Sequence, residues 1–184
     1  MTGSLVHRGL LGLMLSLLFG VVILGRVSAQ PEVVWERSYG TYRYHALLGA
    51  FSDGGVLVVA DDWLATSIMK LDVKGDVVWE KTYRGVGRAS GRDVIEARDG
   101  GFVVMGWTET EQSTGARVWI LEIDRDGNKL WERILDIPMA NAICGRKAGG
   151  YALSSVAGSG DVLILELDDG GNEIRQRTYT PAPT

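Results

Sequence analysis

Three short segments place carboxylates beside glycine: Leu71-Asp72-Val73-Lys74-Gly75, Ile123-Asp124-Arg125-Asp126-Gly127 and Leu167-Asp168-Asp169-Gly170-Gly171. Oxygen-rich loops can hold calcium, but an EF-hand loop needs about 12 residues and a distal bidentate Glu. Here each Asp–Gly segment spans a few residues between two apolar runs, so Asp72, Asp124 and Asp168 read as hairpin-turn residues and no metal is expected. His45 is the one histidine after residue 29, in Tyr42-Arg43-Tyr44-His45-Ala46. A Ser–His–acid site also needs an activated nucleophile and an orienting acid. No Gly-x-Ser-x-Gly occurs, and Ala157-Gly158-Ser159-Gly160 reads as a glycine-rich turn between strands. No catalytic, cofactor-binding or metal-ligating residue is therefore expected. Cys144 is the single cysteine, which excludes an intrachain disulfide and a zinc site of clustered cysteines. Its setting, Ala140-Asn141-Ala142-Ile143-Cys144-Gly145, predicts a small buried hydrophobe and not a reactive thiol.

The aromatic residues repeat. Val34-Trp35-Glu36-Arg37-Ser38-Tyr39, Val78-Trp79-Glu80-Lys81-Thr82-Tyr83 and Leu130-Trp131-Glu132-Arg133-Ile134-Leu135 are copies of one segment, with Ile174-Arg175-Gln176-Arg177-Thr178-Tyr179 a decayed fourth. Trp35, Trp79, Trp131 and Arg175 are 44, 52 and 44 residues apart. The Leu or Ile opening each Asp–Gly segment lies 8 residues before Trp79, Trp131 and Arg175. A third marker ends in Gly55, Gly101 and Gly150, within Asp53-Gly54-Gly55, Asp99-Gly100-Gly101 and Ala148-Gly149-Gly150. A period of 40–50 residues belongs to stacked units, propellers and solenoids foremost. The recurring tryptophans are expected to pack between neighbouring units, since large aromatics dominate core burial. Trp63 and Trp107 fall outside the repeated position and are better candidates for exposed contacts than the recurring three, although a structural role is the first expectation for them too. The polar loop Thr108–Arg117 largely accounts for the longer spacing and reads as a tolerated surface insertion.

The elements that would hold these residues are strands. Each double-glycine marker is followed by a short apolar run: Val56–Val59, Phe102–Met105 and Tyr151–Leu153. Runs at Ser67–Leu71, Val118–Ile123 and Val162–Leu167 are apolar on both faces, as in a strand covered on both sides. The Trp-bearing runs alternate, with Trp79, Lys81 and Tyr83 on one face, as in a half-exposed outer strand. Weaker runs precede the markers at Ala46–Phe51, Asp93–Ala97 and Asn141–Arg146. Four strands per unit predict an all-β, β-propeller-like fold of three four-stranded blade units, over residues 40–83, 84–135 and 136–179. No long amphipathic helix is expected after residue 30.

This repeat resembles that of bacterial secreted β-propeller proteins, in the wider group of WD40-like and quinoprotein-like propellers. The resemblance covers residues 33–179 and implies blades ringing an axis. Propellers have roughly 4–8 blades, so three units imply a partial propeller or one completed by a homodimer. Quinoprotein-like enzymes of that group commonly use a larger ring, calcium and often adjacent cysteines. A fragment of such an enzyme is the second reading, and a degenerate paralogue without independent activity the third.

Residues 1–29 contain two arginines and no acid. An uncharged stretch, Leu10–Leu24, is followed by Val27-Ser28-Ala29, the parts of a secretory signal peptide. Cleavage after Ala29 would leave residues 30–184 as a repeat domain and shift the net charge from −4 to −6 by removing the two arginines. An acidic chain is a poor match for nucleic acid. The expected protein is a secreted or periplasmic, non-enzymatic binding or scaffolding module. Its expected partners are proteins or glycans, with no cofactor and no membrane association after signal cleavage.

Overall fold

The computed structural model describes residues 35–39, 44–61, 65–84, 88–109, 115–156 and 160–180. The expected signal segment, Trp63, residues 110–114 of the Thr108–Arg117 loop and residues 157–159 lie outside them, as does the side chain of His45. Among the described residues there are twelve strands and no helix. They form three four-stranded antiparallel sheets, each in chain order. The first comprises β1 (Tyr44–Ala50), β2 (Val56–Asp61), β3 (Thr66–Leu71) and β4 (Val77–Tyr83). The second comprises β5 (Arg88–Glu96), β6 (Phe102–Glu109), β7 (Arg117–Ile123) and β8 (Lys129–Leu135), and the third β9 (Ala142–Gly145), β10 (Tyr151–Val156), β11 (Val162–Leu167) and β12 (Glu173–Tyr179).

Apolar alternation fixes which face each strand turns to its neighbours. Leu57, Val59 and Ile68 of the first sheet pack on Phe102, Val104, Trp119, Leu121 and Ile123 of the second. The opposite face of the second sheet, with Val103, Met105, Val118 and Ile120, packs on Tyr151, Leu153, Leu165 and Leu167 of the third. The second sheet is thus covered on both faces, and β7 is buried from Val118 through Ile123. The expectation of two covered faces does not hold for β11: Val162 and Ile164 are half-exposed, because no described strand lies over that side of the third sheet. The outer strands alternate as expected, with Trp79, Lys81 and Tyr83 on the sheltered face of β4.

Each outer strand carries a β-bulge at the same place. The register of β3 with β4 slips after Lys70–Trp79, that of β7 with β8 after Glu122–Trp131, and that of β11 with β12 after Glu166–Arg175. The extra residue, Val78, Leu130 or Ile174, is pushed into solvent. A bulge re-aims the side chain beside it, here the Trp or Arg that follows.

Candidate functional site

The recurring tryptophans reach across sheets. The Trp79 indole Nε1 donates to Arg125 O at 2.8 Å, and the Tyr83 hydroxyl to Gly127 O at 2.6 Å. Both acceptors lie in the β7–β8 turn of the next sheet. Trp131 repeats the contact on the β11–β12 turn, its Nε1 donating to Asp169 O at 3.0 Å. Trp35 donates to Val73 O at 3.1 Å and Tyr39 to Gly75 O at 2.5 Å, in the β3–β4 turn of the first sheet. Each indole lies over the turn glycine. A Cβ built on Gly75, Gly127 or Gly171 would come within 2.6 to 3.0 Å of the tryptophan ring, and all three have φ near +75°. Glycine is needed there twice over, for its left-handed backbone and for the close approach of the ring.

The turn aspartates serve their own loops. Asp72 Oδ1 accepts from the N–H groups of Lys74 (2.8 Å) and Asp76 (2.9 Å), and Asp124 Oδ1 from Asp126 (2.9 Å) and Asn128 (2.7 Å). Asp168 Oδ1 accepts from Gly170 (2.9 Å) and Asn172 (2.8 Å). Asn128 and Asn172 also donate from their side-chain amides. Those donors hold the Asp124 and Asp168 carboxyls below the ordinary aspartate range, and the two backbone donors do the same for Asp72. Among the described residues no group of three His, Cys, Asp or Glu side chains could hold a metal ion.

The double-glycine markers are close-approach points. A Cβ on Gly55 would meet Leu71 O at 2.6 Å, and one on Gly101 or Gly150 would collide with Ile123 O or Leu167 O. Asp53 and Asp99 accept from the N–H of Gly55 and Gly101. The third marker has Ala148 instead of Asp, and Asp169 of the following turn supplies the missing acceptor for Gly150 N at 2.6 Å.

One repeated charged position carries no mark in the motifs: the residue before the last of β3, β7 and β11. It is Lys70, Glu122 and Glu166. Lys70 Nζ is buried, 2.9 Å from Asp53 Oδ2 and 5.0 to 5.3 Å from the ring centres of Phe102 and Phe51. Its hydrogen bond, with that of Gly55 N, lowers the Asp53 pKa. Glu122 is buried and accepts from the Tyr151 hydroxyl at 2.7 Å. Burial raises its pKa, with Asp99 and Asp169 adding to the rise. Glu166 pairs with Arg175 and, at 2.8 Å, with Arg146, and Arg175 lowers its pKa most. The sequence carries the change from Lys70 to Glu122 and Glu166 at one repeated position, but not the partners that neighbouring strands and sheets bring to it.

Cys144 corrects the sequence expectation. It is a free cysteine and exposed, because its side of β9 belongs to the uncovered side of the third sheet. Trp107 is half-buried near the end of β6, opposite Ser90 and Val118. Between the first two sheets, at their turn ends, a groove of about 350 Å³ is lined by Asp53, Lys70, Asp72, Trp79, Arg125 and Asp126 among others. Its walls mix both signs of charge with one aromatic face.

Fold and site together define an all-β protein of repeated four-stranded sheets fastened to one another by aromatic clamps. No known protein-family model and no curated protein matches this chain.

Proposed function

We propose that this chain is an exported, non-enzymatic β-propeller-like module that binds or scaffolds, with a protein or glycan as its partner. The observation that carries the reading is the use made of the repeated residues. The tryptophans fasten sheet to sheet and the turn carboxylates saturate their own backbone donors, so the repeat builds a rigid stack that presents its turns. Binding residues concentrate on turns and loops held by rigid scaffolds. The groove at Lys70, Trp79, Arg125 and Asp126 is the candidate contact surface. Export rests on the basic start, apolar run and small residues of 1–29.

The test has two parts. Intact mass of exported protein should give a chain beginning at Gln30; retention of residues 1–29 overturns the cleavage. A panel of glycans and acidic or basic peptides should yield a saturable ligand whose affinity falls in Asp126→Arg. A spectral change on adding pyrroloquinoline quinone with calcium would replace this reading with that of a quinoprotein-like enzyme fragment.

A further inference from the structure

Two segments of this chain are each half of an outer strand. A complete one, β4 or β8, does two things. It pairs along the third strand of its own sheet, and it lays its Trp over the turn of the next sheet. Residues 35–39 do only the second. Trp35 and Tyr39 hold the Gly75 turn, and Arg37 lies 3.5 Å from Asp76, yet these residues form no strand. By the pattern of the other clamps they belong to a sheet preceding the first. β12 does only the first. It pairs with β11 along its length, but Arg175 stands where the Trp should be and turns back to Glu166, while Tyr179 is 53% exposed. On the side of the third sheet beside it Val156 is exposed and Val162 and Ile164 are half-exposed, with no described strand lying over them.

We infer that the missing halves are supplied by a second copy: residues 35–39 of one chain replace β12 on β11 of another. Trp79 lies opposite Lys70, Lys81 opposite Ile68 and Tyr83 opposite Thr66. The same register sets Trp35 opposite Glu166, Arg37 opposite Ile164 and Tyr39 opposite Val162. Because 35–39 remains fixed to the Gly75 turn, the exchange carries the first sheet of its own copy over the open side of the partner's third sheet. Val156 and Ile164 are then covered as Ile68 and Ile120 already are. Glu166 loses Arg175 and keeps Arg146. Done reciprocally, the exchange gives a two-fold dimer of six sheets, within the range of closed propellers. It rests on the stacking of the sheets and not on any ligand, so its failure leaves the binding reading untouched.

The experiment is light scattering of the protein across a concentration series, together with oxidative cross-linking. On a Cys144→Ser background, Arg37→Cys with Ile164→Cys should give a disulfide-linked dimer, whereas Ser38→Cys with Ile164→Cys, one residue out of register and on the opposite face, should not. Trp35→Ala should weaken the dimer by about tenfold or more, as expected for an aromatic anchor. A stop after Asn172, which removes the competing β12, should strengthen it. A protein monomeric in every form, equal cross-linking in both registers, or a dimer lost on removing β12 would each overturn the exchange.

Discussion

Lys70 and Glu122 occupy one position in successive sheets and solve burial in opposite ways. Lys70 takes a carboxylate and two ring faces as partners. Glu122 has Tyr151 as a donor, Trp131 near it, and two acids, Asp99 and Asp169, as further neighbours. Its pKa is raised, so the native state holds this proton more tightly than the unfolded chain does. The stability it contributes is complete below the ordinary glutamate value of 4.5 and is lost as pH rises through the native value. Glu122→Gln removes that loss and leaves an oxygen for Tyr151. Its unfolding midpoint should exceed that of the parent at neutral pH, with the difference closing in acid; a gap independent of pH would contradict the ionisation argument. The turn aspartates have the opposite sign. Their pKa values are depressed, so their contribution is present above the ordinary value of 3.8 and disappears as pH falls through the native value. Asp124→Asn should lower the midpoint at neutral pH and approach the parent in strong acid, as a thermal melt series would show.

At the scale of the element, the hairpin turn and the indole above it are one device made by two sheets. Gly127→Ala places a methyl 3.0 Å from the Trp79 ring on a backbone at φ +74°. Trp79→Ala removes the ring and its hydrogen bond. Trp79 is half-buried, so its loss should cost on the order of 2–3 kcal/mol, below the roughly 3–5 of a fully buried Trp. Once the ring is gone the collision is relieved and only backbone strain of about 1 kcal/mol remains. A double-mutant cycle should therefore be strongly non-additive, with Gly145→Ala, which meets nothing within 4 Å, near neutral. Additive losses would show that the glycine is required by its φ alone. The strands around the markers are legible in the sequence, since Val56, Phe102 and Tyr151 each follow a double glycine. The apolar run of β5 starts at Asp93, whereas pairing begins at Arg88, because Ala89, Ser90 and Gly91 have little apolar signal and are held by β6. The bulges at Val78, Leu130 and Ile174 were hidden for a similar reason: an exposed apolar residue before a Trp reads as one more strand position. Cys144 failed differently, since its apolar neighbours say nothing of whether another sheet lies above them.

Across the whole molecule, protection is graded from the middle of the stack to its open side. β7 is paired on both edges and buried on both faces, between the two apolar cores. β4 and β8 are sheet edges, yet their Trp side chains anchor them to the next sheet. β12 is also an edge, is exposed at every position from Glu173 to Tyr179, and has Arg175 where the anchor would be. Amide exchange follows local opening, which is easiest where few apolar contacts must break. In the dilute protein, where exchange between copies is suppressed by mass action, the slowest amides should be those of β7. β4 and β8 should be intermediate and β12 the fastest of the outer strands. Hydrogen exchange read by mass spectrometry resolves these segments. Protection of β12 equal to that of β4 and β8 would mean that backbone pairing alone holds an outer strand. The aromatic clamp would then add orientation and no local stability. A β12 that opens first gives the clamp its energetic meaning: the ladder holds an outer strand to its sheet, and the indole holds that sheet to the next.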